Sequence, residues 1–167
     1  GMIGFMAVFA YLYLYGINPE VWSAPPPLGE TAIIVGIEAA ALLAAWGGRR
    51  FLASKEGQLA EDLPWMLEAL AATLLVGALY LDVTGWLATG LEPTANGMGA
   101  TVFMLSVLQG QVVVVAVIMA TYLAFREARG IMTTPTNVTM DIVARFIMFC
   151  ALQGMVFTFL PRVFPGV

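Results

Sequence analysis

At 167 residues, with 60% apolar and 11% charged side chains and a net charge of −4, the chain lies outside the range of soluble domains, which average roughly 45–50% apolar and about 25% charged. It reads as a membrane protein with room for several spans and no extramembrane domain, because each helix crossing the hydrocarbon layer takes about 20 residues. A single cysteine, Cys150, excludes an internal disulfide, and the absence of histidine excludes imidazole ligation of haem, zinc or copper.

Residues 1–16, GMIGFMAVFAYLYLYG, lack the charged leader and small-residue cleavage site of a signal peptide. They open the first of five expected spans, at roughly 2–15, 31–47, 65–87, 101–125 and 140–160. Gly1 ahead of Met2 reads as a processed, truncated or tag-derived start. The intervening stretches NPEVWSAPPPLGE, GGRRFLASKEGQLAEDLP, ATGLEPTANGMG and REARGIMTTPTN carry the expected turn residues. Period-2 alternation is missing and an open sheet cannot satisfy its backbone in lipid, so the expected fold is all-α. The expectation is a single domain over residues 1–167, a bundle of five transmembrane helices. Small residues at four-residue spacing, Gly36, Ala40 and Ala44 in the second span and Ala69, Thr73 and Gly77 in the third, fit close helix packing.

Of seven basic residues, Arg49, Arg50, Lys55, Arg126, Arg129 and Arg145 fall at one face, leaving only Arg162 at the other. The positive-inside rule makes the first face cytoplasmic, with the N-terminus inside and the C-terminal PRVFPGV outside, in a bacterial inner membrane. Glu20, Glu30 and Glu92 then lie on the outer rim, and no basic surface remains for nucleic acid. The sequon Asn137-Val138-Thr139 falls on the inner side, where chance is its best explanation.

Buried ionisable groups in lipid are costly, so each needs an account. Glu38, inside the second span, is either a carboxylate coupling protons or cations or a protonated carboxyl satisfied by a neighbouring helix or subunit. Glu68, about one turn into the third span, is expected to reach the inner interface, and Asp82 to sit near the outer one. Starting from opposite ends of antiparallel helices, Glu38 and Glu68 are not expected to pair. Gln109, Gln111 and Gln153 are the other intramembrane candidates, since span glutamines bridge helices for about 0.6–2 kcal/mol each. Gln109 and Gln111 point about 200° apart on a helix and cannot serve one site. Phe146, Phe149, Phe157 and Phe159 face lipid or a partner.

The segments ANGMGATVFMLSVLQGQVVVVAVIMATYLAFREARG and ARFIMFCALQGMVFTFLP resemble the last two helices of subunit III of haem–copper terminal oxidases. That family shows a Gly-rich lead-in, Phe-x-Leu, His-Gly-x-His-Val, an Arg and Gly in the following loop, then Trp-His-Phe-x-Asp-x-x-Trp before Phe-Pro. WSAPPPLGET is similar to the family's Pro-rich loop, and GMIGFMAVFAYLYLY to the helix that begins Trp-Gly-Met. The likeness spans nearly the whole chain, in the five-helix form found in quinol oxidases, in fusions of subunits I and III, and in an accessory protein of nitric oxide reduction. The departures fall on polar positions. Gln109 and Val112 stand for the two histidines of the penultimate helix, Phe149, Cys150 and Gln153 for the tryptophan, histidine and aspartate of the last, and Phe9 for a glutamate of the first.

The resemblance implies a non-catalytic subunit without catalytic residues or a cofactor of its own, beside a catalytic subunit I that holds haem and copper and a subunit II. It also implies bound phospholipids and support of assembly and sustained proton uptake during oxygen reduction by a cytochrome c oxidase-type complex. Two other readings are an accessory protein of nitric oxide reductase and a small proton-coupled transporter using Glu38.

Overall fold

The computed structural model describes residues 1–22, 24–53, 59–130 and 136–163. Lys55 and the terminal residues 164–167, which figure in the expected orientation, lie outside the described residues. Among those residues the fold is all-helical: α1 (Met2–Ile17), a 3-10 turn (Pro19–Val21), α2 (Leu28–Ala53), α3 (Leu59–Ala88), α4 (Gly97–Ala128) and α5 (Thr136–Val163). Four of these contain stretches long and apolar enough to cross a bilayer, Leu28–Phe51, Leu63–Ala88, Gly97–Ala128 and Val138–Val163. With 16 residues, α1 is about 24 Å long, short of a hydrocarbon layer roughly 30 Å thick. The outward faces are apolar, with Ile33, Leu43, Val107, Val114, Ile118 and Phe159 exposed. Lipid is the solvent in which such a surface is stable, and the chain is a multi-pass membrane bundle.

Helix α2 packs along α3 and α5, α4 packs along the same two, and α1 lies outside this set, mainly against α4. Gly48 abuts Pro64 and Leu67 while Glu30 reaches Gly85, so α2 and α3 run antiparallel. Ala41, Ala45, Ala71, Ala72, Leu75, Ala116, Ile147 and Ala151 form the buried core between the four helices. Of the six small residues expected to pack, Ala44 lies partly buried against this core and Ala69 is partly buried, while the other four face outward. Gly36, Ala40, Thr73 and Gly77 are exposed, and a side chain added at Gly36 or Gly77 would meet nothing within 4 Å. Alanine is frequent on several faces of these helices, so four-residue spacing alone does not choose the face that packs.

The ends follow local chemistry. Asn96 caps α4, its side chain accepting from the Gly99 amide at 2.8 Å. Gly90 (φ 76°) and Gly130 (φ 61°) take the left-handed conformation that stops α3 and α4 and that glycine adopts without strain. Tyr11 anchors α1: its buried hydroxyl accepts from Trp22 Nε1 at 2.9 Å, and the Trp22 ring stands edge-on to Tyr11 and Tyr15.

Candidate functional site

The inward faces of α2–α5 carry the polar residues. Near the middle of the bundle Gln109 of α4 donates through Nε2 to the Cys150 carbonyl of α5 at 2.9 Å. It accepts at Oε1 from Gln153 Nε2 at 3.2 Å. Cys150 Sγ in turn donates to the Val112 carbonyl at 3.6 Å. Beside this chain lies Glu38 of α2, 3% exposed, which accepts from Thr158 Oγ1 at 3.4 Å. Both the Glu38 carboxyl and the Gln109 amide lie over the bare Cα of Gly154, where a Cβ would strike Glu38 Oε1 and stand 2.7 Å from Gln109 Nε2. Glycine at 154 is what lets α2, α4 and α5 bring these groups together. Glu38 Oε2 has no hydrogen-bond partner among the described residues.

Toward the end of the bundle where α2 begins, Arg162 of α5 is fully buried at the centre of a knot of ion pairs. Its Nε and Nη2 donate to Asp82 Oδ1 at 3.2 and 3.0 Å, and Nη2 also donates to the Asp82 carbonyl at 3.2 Å. Nη1 stands 3.8 Å from Glu30 Oε1, the guanidinium lies 5.3 Å from the Trp86 ring centre, and Ser106 donates to Asp82 Oδ2 at 3.3 Å. Gly85 again leaves the space, since a Cβ there would strike the Glu30 carboxylate. Asp82, near the end of its span, is thus buried and paired with Arg162. The helix extends past the expected end at 160 to Val163, with Pro161 inside its last turn, and the ion pair fixes the residue that follows.

At the opposite end Asp141 bridges Arg49 at 2.5 Å and Arg145 at 2.7 Å. All three side chains are partly exposed, and such pairs contribute about 0–1 kcal/mol. Glu68 is 0% exposed, and neither of its carboxyl oxygens has a partner among the described residues. The expected reach to the interface fails because α3 starts at Leu59 rather than at 65, placing Glu68 nine residues into the helix on its packed face. No three of His, Cys, Asp and Glu gather as metal ligands among the described residues.

No protein-family model, curated protein or solved structure matches this chain.

Of the five intramembrane candidates, the fold brings Glu38, Gln109 and Gln153 together, leaves Glu68 apart, and turns Gln111 outward, exposed on the face opposite Gln109. Phe157 is buried against Tyr11, whereas Phe149 and Phe159 are exposed and Phe146 packs on the core. Arg162 is the residue that sequence reasoning missed, because it follows Pro161 in a segment assigned to the outer surface. The signal lay in charge: Glu30 in the first turn of α2 and Asp82 toward the end of α3 fall on the same side, and Arg162 is the only cation there among the described residues.

Proposed function

We propose that the chain is a non-catalytic integral membrane subunit, similar to subunit III, of a respiratory haem–copper terminal oxidase of the cytochrome c oxidase type. One observation supports the reading above others. Four of the six positions at which the resemblance replaces the family's polar residues, Gln109, Val112, Cys150 and Gln153, are 38 to 44 residues apart in pairs, yet they form one hydrogen-bonded set between α4 and α5, while Phe9 and Phe149 are exposed outside it. A helix pair like that family's requires these separate motifs to meet, and here they do.

In this reading α1 is a fifth span, the N-terminus is cytoplasmic and the C-terminus periplasmic in a bacterial inner membrane. Haem and copper belong to subunit I, with subunit II beside it. Phospholipid chains occupy the apolar groove of about 310 Å³ between α1 and α5, lined by Phe5, Val8, Leu152, Val156 and Phe157 with Gln153 at its floor. The contribution to oxygen reduction is assembly, lipid retention and sustained proton uptake. Purifying the full chain in mild detergent tests this: a haem-bearing oxidase chain with reduced-minus-oxidised absorption bands is expected to accompany it. A haem-free homo-oligomer overturns the proposal, and nitric oxide reductase chains in its place identify the accessory protein of that enzyme.

A further inference from the structure

The buried carboxyls differ in how they are joined to water. Glu30, in the first turn of α2, keeps 36% of its side chain exposed and faces Arg162, which binds Asp82. Thr158 precedes Arg162 by one turn of α5, and its hydroxyl donates to Glu38. Glu38 is in turn eight residues from Glu30 along α2, about 12 Å of helix rise. A line of ionisable and hydroxyl groups therefore descends from the Glu30 end of the bundle to Glu38 and stops there. Toward the Arg49 end, Ala41, Ala45, Ala71, Leu75, Ile147 and Ala151 close the interior. Glu68 lies beyond this layer, roughly 10 Å from the level of Glu38 by the α2–α3 register.

We infer that Glu38 is a one-sided proton-binding site, filled and emptied past the Thr158 hydroxyl from the Glu30 end and closed to the opposite end. The groups facing it decide the ligand. From α3 comes Asp82, from α5 Arg162 and the Thr158 hydroxyl, from α4 the Gln109 amide, and on α2 itself Glu30. A metal cation needs a cage of oxygen ligands, and here an amide nitrogen and a guanidinium take part of that space. A proton needs only a free carboxyl oxygen, which Glu38 Oε2 supplies. A hydroxyl accepts one hydrogen bond while donating another, so Thr158, which donates to Glu38, can pass a proton between Glu38 and water arriving from the Glu30 end. Uptake moves one proton from hydronium at the Glu30 end to the Glu38 carboxylate, so one O–H bond breaks as another forms and only water is left behind. Three carboxylates and one guanidinium carry −2, and the protonated set carries −1, the state that an apolar bundle holds more readily. The assignment holds whatever the chain assembles with.

The test uses the full chain in sealed vesicles selected for an outward Glu30 end through a Glu20→Cys handle captured by a membrane-impermeant thiol resin. The infrared carbonyl stretch of the protonated carboxyl, assigned by its loss in Glu38→Gln or its displacement in Glu38→Asp, is followed as pH is stepped on each side separately. Its amplitude is expected to follow external pH and ignore internal pH, with Thr158→Val slowing the response about tenfold or more. A band that follows internal pH or both, that never responds, or that is missing at every pH overturns the inference, as does an unchanged rate in Thr158→Val.

Discussion

Glu68 and Arg162 are equally buried, yet the bundle treats them oppositely. Arg162 has its charge matched by Asp82 and Glu30 and its face covered by Trp86, whereas Glu68 meets no donor among the described residues. Removing one member of a buried pair leaves a bare charge, so Asp82→Ala is expected to lower stability by about 3–5 kcal/mol. The double change Asp82→Leu with Arg162→Met removes both charges and is expected to lose less than Asp82→Ala alone. Unfolding of the detergent-solubilised chain by denaturant titration measures both. In the same assay Glu68→Leu is expected to gain about 1–3 kcal/mol, because an unpaired carboxyl is exchanged for packing; a loss would reveal a donor from a partner. Sequence reading named Glu38, Gln109 and Gln153 without their partners. The partners lie 41 to 120 residues away, and the rotation of each helix about its axis is invisible in a one-dimensional pattern.

At Gly154 of α5 the side chains of Glu38 from α2 and Gln109 from α4 take the space that a Cβ would fill. Gly154→Val is expected to push the helices apart at Glu38 and Gln109 and to lower stability by about 1–3 kcal/mol. Gly36→Ala, on the open face of α2, is expected to be neutral or to gain up to about 1 kcal/mol from helix propensity. Comparing midpoints of the two variants separates packing from propensity. The four long helices were legible because apolar windows are local, but their ends were not. Observed α2 runs from Leu28 to Ala53 where 31–47 was expected, and α3 and α5 each begin earlier, since a polar residue at a span end leaves the window while remaining in the helix. The inward faces were marked by the costly residues themselves: Glu38 continues into Ala41, Ala45 and Gly48, and Glu68 into Ala72, Leu75 and Asp82, all buried. In a membrane helix, such buried polar residues mark the packed side better than small residues do.

The bundle is apolar outside and partly polar inside, the arrangement that hydrocarbon solvent selects. An arginine placed at Val114, exposed near the middle of α4, is expected to reduce membrane insertion of that helix by about 2.5–3.5 kcal/mol, as read by an insertion assay with glycosylation reporters. Composition and hydropathy alone decided that the chain is helical and membrane-embedded, because the cost of unsatisfied backbone in lipid leaves no other fold for apolar stretches of this length. Which buried polar group meets which was decided only in three dimensions. Gln109 meeting Gln153, Arg162 folding back on Asp82, and Glu68 left without a partner among the described residues all depend on the register and rotation of helices far apart in the chain. Hydropathy sums over neighbours in sequence and holds no record of either.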